Sequence, residues 1–151
     1  MRNNEQRGRV VIAGGSGFLG KSLSDVLLKE GYEVIVLTRN PDQYSGVGTA
    51  VHWDGSTVEE RWAKHLEGAA ALVNLTGKSV DCRPTKRNKA EILRSRVEPV
   101  DTLGAALLLV SRPPAVWVQA ASLAIYGNAG DRICEESAFV PDEYPADICV
   151  S

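Results

Sequence analysis

The stretch Val10–Gly20, which reads V-V-I-A-G-G-S-G-F-L-G, constrains the fold of this chain more than any other part of its sequence. A short apolar run, Val10–Ala13, ends at a cluster of glycines, and a helical pattern begins directly after it. Glycines at such a turn let backbone N–H groups approach a diphosphate closely, and the positive end of the following helix points at the same anion. The stretch therefore predicts a buried strand, a glycine-rich turn and a helix that together bind phosphate groups.

The composition restricts the class of protein. Of 151 residues, 44% are hydrophobic and 24% are charged, and the formal net charge is −2. This balance argues against a nucleic-acid or polybasic membrane surface, and no apolar run approaches the ~20 residues of a membrane span. The N-terminus lacks the apolar region of a signal peptide. We expect a cytoplasmic protein with no nucleic-acid or membrane partner.

Few residues are suited to hold a metal ion. Three widely spaced cysteines form no C-x-x-C pair, which is typical of free thiols in a reducing compartment. The two histidines, His52 and His65, are isolated from each other in sequence. We therefore expect no metal site, although Cys82 is either a reactive thiol or a plain loop cysteine.

Strands and helices alternate along the chain. The predicted strands are Arg9–Ala13, Tyr32–Thr38, Val51–Trp53, Ala69–Leu75 and Ala115–Ala121. The predicted helices are Gly20–Glu30, Val58–Leu66 with Ser56 or Thr57 as its N-cap, and a long helix from Pro84 or Thr85 to Val110 with a kink or break at Pro99. Short connections between alternating elements indicate a parallel sheet. Right-handed crossovers, together with the glycine turn after the first strand, then give an α/β, doubly wound (Rossmann) sheet with strand order 3-2-1-4-5.

Three glycines, Gly14, Gly17 and Gly20, form a G-x-x-G-x-x-G motif that includes the small residue Ser16. Because the motif lies between a predicted strand and a predicted helix, we interpret it as a dinucleotide-binding fingerprint. A tight turn without a ligand is the alternative. The interpretation makes the chain a dinucleotide-binding domain.

The end of the second predicted strand discriminates between two dinucleotides. An acidic residue there would hold the ribose 2′-hydroxyl of NAD, but this chain has Thr38-Arg39. An arginine pairs with a 2′-phosphate and can stack on adenine. We expect NADP(H) as the preferred cofactor, with NAD(H) and a solvated turn arginine as the alternatives.

The ends of the later strands supply further candidates. Asp54 can accept from the adenine amino group or form an Asx-turn with Gly55. Leu75-Thr76-Gly77 offers small residues where the backbone must pass close to a cofactor. Ser122 and Tyr126 follow the fifth strand, at the carboxyl edge where doubly wound sheets bind ligands.

These motifs carry a resemblance to a known family. The relevant segments are Gly14–Gly20, Asp54, Asn74–Gly77 (N-L-T-G), Lys89–Arg96 (K-A-E-I-L-R-S-R) and Ser122–Gly127 (S-L-A-I-Y-G). The whole chain resembles the N-terminal half of an extended short-chain dehydrogenase/reductase of the NAD-dependent epimerase/dehydratase family. More narrowly, it is similar to the atypical branch of cell-division-inhibitor-like nucleotide-sugar epimerases, whose mark is N-L-[AT]-G followed by K-x-E-I-x-x-S-R.

The resemblance implies cofactor-binding roles for individual residues. It implies that NADP is bound by Thr38, Arg39, Leu75, Thr76, Glu91 and Arg96. The other cofactor-binding candidates are Asp54, Gly77 and the turn residues Gly14, Ser16, Gly17, Phe18, Leu19 and Gly20. Without the resemblance, Glu91 and Arg96 would be interpreted as an exposed charge pair on a helix. Lys78, in the loop before that helix, could also meet a phosphate group.

The superfamily performs its chemistry with a serine and a Tyr-x-x-x-Lys pair, in which the tyrosine transfers a proton at the substrate oxygen. Ser122 matches the serine; a serine that caps a loop is the alternative. The fourth residue after Tyr126 is Gly130 and the fourth after Tyr144 is Ile148, so the tyrosine–lysine pair is absent from these residues. Ser122 is thus the single catalytic candidate.

Two functions of different classes follow. The first is an NADP(H)-dependent epimerase/dehydratase-like oxidoreductase that acts on a hydroxyl or carbonyl carbon of a small molecule, with a nucleotide sugar as the implied substrate. The second is a dinucleotide-binding regulatory or scaffolding protein without turnover. We expect residues 1–151 to form one incomplete domain without its substrate-binding part, with residues 131–151 as acidic loop in which Tyr144–Ser151 is the start of another element. An exposed edge on the fifth strand predicts self-association, either as a homodimer or as aggregation.

Overall fold

The computed structural model describes residues 7–142 and 146–150. The strands are β1 (Arg9–Ala13), β2 (Glu33–Thr38), β3 (Thr49–His52), β4 (Ala71–Asn74) and β5 (Val116–Gln119). The α-helices are α1 (Phe18–Lys29), α2 (Glu60–Ala63), α3 (Lys86–Leu107) and α4 (Ala146–Val150). Short 3-10 helices cover Pro41–Gln43, Lys64–Leu66 and Leu123–Tyr126.

The five strands form one parallel sheet in the order β3-β2-β1-β4-β5, which confirms the predicted doubly wound topology. The central strand β1 pairs on both sides, with Val11 opposite Ile35 of β2 and opposite Leu72 of β4. Because all strands run in the same direction, their carboxyl ends lie at one edge of the sheet, as they do in dinucleotide-binding folds.

Alternate residues of β1 belong to two separate cores, one on each face of the sheet. Val10 and Ile12 pack in a cluster that Leu23 and Leu27 of α1 cover. Val11 and Ala13 belong to the opposite cluster, which contains side chains of α2 and α3. Burial of both faces explains why β1 is almost purely apolar.

The three tryptophans pack in or beside the core. Trp53 and Trp62 are buried, with ring centroids 5.4 Å apart, and Trp117 packs against the same cluster. The core on this face therefore extends from β3 to β5. Among residues 7–142 and 146–150, none of the helices combines the length and apolar content that crossing a bilayer requires.

Several predicted elements differ from the structure. Helix α2 begins at Glu60 rather than Val58 and has Glu59 as its N-cap. The predicted caps, Ser56 and Thr57, instead donate their N–H groups to the carboxylate of Asp54. Helix α3 continues through Pro99 without a break: Pro99 is buried, and buried residues of the following turns hold the helix against the sheet.

A further difference is α4, which gives a definite helix where the sequence predicted only acidic loop and, from Tyr144, the start of an element of undefined type. Ala146 and Ile148 are buried there, and α4 contacts the 3-10 helix Leu123–Tyr126. A short helix of this kind depends on tertiary packing, since five residues are too few to form a stable helix alone. The predicted features at Tyr144 lie outside the described residues.

Candidate functional site

A cleft of about 910 Å³ lies at the carboxyl ends of β1 to β4. We call it the main cleft. Of the residues predicted to bind a cofactor, the following line it: Gly14, Ser16, Gly17, Thr38, Arg39, Asp54, Leu75, Thr76, Gly77 and Glu91. Of the remaining predicted residues, Phe18, Leu19, Gly20, Arg96 and Ser122 do not line it. The fold therefore brings segments that are far apart in sequence to one surface.

Gly14 shows why the turn after β1 needs glycine. Its φ is +71°, a backbone conformation that residues with a Cβ rarely adopt, and a Cβ there would lie 3.1 Å from backbone atoms of Leu75 and Thr76. The N–H of Gly14 donates to the carbonyl of Leu37 at 3.1 Å. The turn is thus tied to the ends of both β2 and β4.

Gly17 and Gly20 serve different purposes. A Cβ on Gly20 would overlap with the backbone of Gly15, so this glycine lets α1 pack against the turn. A Cβ on Gly17 would meet nothing closer than the carbonyl oxygen of Gly14 at 3.9 Å. Gly17 lines the main cleft, and the open space beside it is what a dinucleotide's diphosphate would occupy.

The start of α1 carries amide groups that no side chain caps. Gly17 is the N-cap residue, and no side-chain hydrogen bond or acidic residue is present in the first turn. The first N–H groups of a helix lack intrahelical partners and attract anions. Phe18 and Leu19 belong to this first turn and are 85% and 65% exposed. The cleft therefore fits the diphosphate group that the sequence predicts.

Ser16 and Thr38 connect the glycine turn to the end of β2. The Thr38 hydroxyl donates to the Ser16 hydroxyl oxygen at 3.3 Å, and the Asn40 N–H donates to the Thr38 hydroxyl oxygen at 3.4 Å. Arg39 is exposed and lines the cleft, and among the described residues no carboxylate lies within ion-pair distance of it. Its positive charge remains available to a ligand.

Asp54 forms the Asx-type turn that was one of its two predicted roles. Its Oδ1 atom accepts hydrogen bonds from the N–H groups of Ser56 and Thr57, both at 2.8 Å. These hydrogen bonds, that of Ser56 first, lower the pKa of Asp54 to about 2. The carboxylate also lines the main cleft, so the turn holds an ionised acceptor where the adenine was expected.

Asn74 fixes the end of β4. It is fully buried; its Nδ2 donates to Gln119 Oε1 at 2.9 Å, and its Oδ1 accepts from the N–H and hydroxyl of Thr76 at 3.1 and 2.6 Å. These contacts tie the segment Leu75–Gly77 to β5. The backbone of that segment is therefore held in place beside Gly14.

The loop after β4 is attached to α3 through Lys78. The ammonium of Lys78 forms an ion pair with Glu91 and a hydrogen bond to Asn88 Oδ1 at 3.3 Å. Its N–H donates to Ser95 Oγ at 2.8 Å, and its carbonyl accepts from Arg96 Nη1 at 3.2 Å. All polar groups of Lys78 are thus used by α3.

Glu91 and Arg96 therefore have structural partners of their own. Glu91 pairs with Lys78 and with Arg87, and these two cations, Lys78 first, lower the pKa of Glu91 to about 2. Arg96 lies behind Gly77, where its guanidinium is 3.5 Å from the position of a Cβ on that glycine. Glu91 reaches the main cleft and Arg96 supports the loop that forms its wall.

Sequence reasoning missed four residues of α3 that line the main cleft: Arg94, Ser95, Glu98 and Pro99. They are three, four, seven and eight positions after Glu91, which is the spacing of one helix face. That periodicity was the available signal, because Glu91 was already a candidate.

Ser122 takes the capping role that was its alternative. Its Oγ accepts from the N–H of Ala124 at 3.2 Å and it caps the 3-10 helix Leu123–Tyr126. The residue is exposed and follows β5, where Val116 and Val118 are 52% and 49% exposed. In the described part of the chain, no group of three or more His, Cys, Asp or Glu side chains is placed to hold a metal ion.

Comparison with known proteins places this geometry in context. Residues 10–146 match the family described as NAD dependent epimerase/dehydratase. The chain is 30% identical over 137 residues to the epimerase family protein YfhF of Bacillus subtilis, covering 89% of this chain and 44% of that protein.

Solved structures agree in fold. The crystal structure of human epimerase family protein SDR39U1 (isoform 2) with NADPH is 31% identical, with a TM-score of 0.62 over 78% of this chain and 38% of that chain. A putative epimerase from Burkholderia cenocepacia is 21% identical, with a TM-score of 0.71 over 95% of this chain and 46% of that one, and shows the fold alone. The chain thus spans less than half the length of these relatives. It belongs to the NAD dependent epimerase/dehydratase family.

Proposed function

We propose that the chain is the NADP(H)-binding part of an epimerase/dehydratase-like oxidoreductase. The observation that carries the proposal is the main cleft, in which an uncapped helix N-terminus, the open space beside Gly17 and the unpaired Arg39 lie at the carboxyl edge of a parallel sheet. Diphosphate at the helix N-terminus and ribose at the end of β2 follow the general arrangement of such folds.

The preference for NADP(H) is supported by the charges at the end of β2. Thr38 and Arg39 occupy the position where an acidic residue would hold the 2′-hydroxyl of NAD. The relative SDR39U1, of which the chain covers 38%, has been solved with NADPH. Asp54 and the backbone of Leu75–Gly77 would face the adenine and the middle of the dinucleotide.

The proposed reaction passes a hydride between the nicotinamide and a carbon that bears a hydroxyl or carbonyl group. Ser122 would polarise the substrate oxygen, as the serine of short-chain dehydrogenases does. A nucleotide sugar is the substrate class we propose, on the basis of family membership. A cytoplasmic location and a homodimer through the β5 edge stay predictions.

Thermal unfolding with NADP⁺, NADPH, NAD⁺ and NADH tests the binding step. A ligand at about 100 times its Kd stabilises the folded state by about 2.7 kcal/mol, which raises the Tm of a domain of this size by about 5–10 °C. We expect the larger rise with the two phosphorylated forms. Equal rises with NAD and NADP would contradict the preference, and no rise with any of the four would contradict the proposed function.

A second candidate is a dinucleotide-binding regulatory protein without turnover. It is favoured by the exposed position of Ser122, whose side chain caps a 3-10 helix outside the main cleft. This candidate requires that the chain binds NADPH but does not oxidise it with a panel of sugar and carbonyl substrates. It also requires that Ser122→Ala leaves NADPH binding unchanged. Turnover that is lost in Ser122→Ala would exclude it.

A further inference from the structure

A second, smaller cavity adjoins the main cleft at the end of β2. It has a volume of about 160 Å³, we call it the side cavity, and it is lined by Ser16, Lys21, Thr38, Asn40, Gln43 and Tyr44. Ser16 and Thr38 line both cavities, and their hydroxyl oxygens are 3.3 Å apart. These two short side chains form the common wall, so a group attached to a ligand in the main cleft can reach the side cavity past them.

The chemistry of the side cavity suits an anion. Its lining contains one ammonium group, from Lys21, and the hydroxyl or amide groups of the other five side chains. None of the six is a carboxylate. Charge-assisted hydrogen bonds from such donors are what bind phosphate groups in proteins.

The charge of Lys21 is available, in contrast to that of Lys78. Lys78 forms an ion pair with Glu91. The described partner of the Lys21 ammonium is the neutral hydroxyl of Ser45, at 3.1 Å, and no carboxylate in the described part of the chain lies within ion-pair distance of it. Of these two lysines beside the cavities, Lys21 is the one whose charge no acid neutralises.

The charge of Lys21 brings no electrostatic benefit to α1 itself. It is the fourth residue of α1, and the N-terminal turn of a helix disfavours positive charge. A bound anion between the helix start and the ammonium would reverse this disadvantage. The lysine is therefore better explained by a ligand than by helix stability.

We propose that the side cavity holds the 2′-phosphate of NADP(H) and that Lys21, together with Arg39, determines the preference for NADP(H) over NAD(H). This rests on the proposed function, because the ribose must first lie at the end of β2 in the main cleft. The 2′-position of that ribose faces the residues that end β2 in dinucleotide-binding folds. Thr38, which lines both cavities, lies at that point.

The test compares Lys21→Met with Lys29→Met. Lys29 lies on the same helix, ~12 Å further along it, and is exposed, so its replacement removes the same charge away from both cavities. Affinities for NADP⁺, NAD⁺ and adenosine 2′,5′-bisphosphate are measured by titration calorimetry on the wild-type chain and both variants. A thermal scan of each variant without ligand shows that it folds.

We expect Lys21→Met to weaken NADP⁺ and the bisphosphate by about ten-fold or more, and NAD⁺ by less than about two-fold, since one charge-assisted hydrogen bond is lost. Its Tm without ligand should equal or exceed that of the wild type. Lys29→Met should leave the ratio of NADP⁺ to NAD⁺ affinity unchanged.

Three results would overturn the proposal: an equal effect of Lys21→Met on both dinucleotides, no effect on either, or a loss of NADP⁺ affinity in Lys29→Met of the same size. A wild-type chain that binds NAD⁺ and NADP⁺ equally would overturn this proposal and leave dinucleotide binding intact. A wild-type chain that binds neither would overturn the proposed function as well.

Discussion

The two walls of the main cleft use charge in opposite ways. The first wall consists of the glycine turn Gly14–Gly20 with Thr38 and Arg39, and it is held by backbone contacts and two hydroxyl groups. The second consists of Leu75–Lys78 and the facing side of α3, and it is held by ion pairs. Charges on the second wall are therefore used within the protein, whereas those on the first wall remain for a ligand.

The largest effect on stability is expected for a variant of the first wall, Gly20→Ala. A Cβ at Gly20 would overlap with the Gly15 backbone, which cannot move without distorting the turn, so we expect a loss of about 3 kcal/mol or more in the free energy of unfolding. Urea denaturation measures it. The matched control is Gly17→Ala, which places a methyl group in open space and should cost below about 1 kcal/mol.

Gly17→Ala should nevertheless weaken NADPH binding, because its methyl group enters the space proposed for the diphosphate. Titration of the folded variant with NADPH measures this effect. Equal stability of the two glycine variants would show that the turn is not packed as the structure has it.

Arg39→Gln tests whether the positive charge of the first wall binds the cofactor. We expect NADP⁺ binding to weaken by about 1.5–3 kcal/mol, the value of a hydrogen bond to a charged group, with NAD⁺ affinity and stability little changed. Arg87→Gln is the control from the second wall, since Arg87 pairs with Glu91 and does not line the cleft. Calorimetric titration of both dinucleotides distinguishes the two arginines. A similar loss in Arg87→Gln would contradict the contrast between the walls.

The second wall should respond to acid. The pKa of Glu91 falls from 4.5 to about 2 on folding, because Lys78 and Arg87 stabilise its carboxylate. A carboxyl group whose pKa is lowered contributes stability above its unfolded value and loses it as the pH falls towards the folded value. Between about pH 5 and pH 2, the free energy of unfolding should thus fall more steeply in the wild type than in Glu91→Gln.

Urea denaturation at several pH values measures this difference. Glu60→Gln is the matched control, because Glu60 is an exposed carboxylate for which no ion pair is described. Parallel pH profiles of the wild type and Glu91→Gln would show that the ion pair contributes nothing to the fold.

Ser122→Ala should have the smallest effect on stability. Ser122 is exposed and its described hydrogen bond caps a 3-10 helix, so we expect a loss below about 1 kcal/mol. Thermal unfolding measures it, and a larger loss would indicate that the β5 edge is packed more tightly than Val116 and Val118 suggest. With so small an effect on folding, a loss of turnover in the same variant could be assigned to chemistry.

The local parts of the fold were predictable. The bounds of β1 agree residue for residue, and the sheet order was predicted from strand–helix alternation, right-handed crossovers and the glycine turn after the first strand. Helix bounds were less accurate, because the predicted caps of α2, Ser56 and Thr57, are held by the Asp54 side chain and α4 depends on burial against Leu123–Tyr126. Neither contact is visible as a periodicity.

The candidate site, too, has parts that the sequence predicts and parts that depend on packing. The sequence by itself determined the glycine turn, Thr38-Arg39 and the segment Leu75–Gly77, because glycine, strand ends and parallel strands impose local rules that place these residues at one edge. Only the tertiary structure decided which charges are available to a ligand. Packing of the helices forms the ion pair between Lys78 and Glu91, and it leaves Lys21 with no carboxylate partner among the described residues. It also decided that a side cavity exists beside Thr38, because its lining comes from the glycine turn, α1 and the segment after β2.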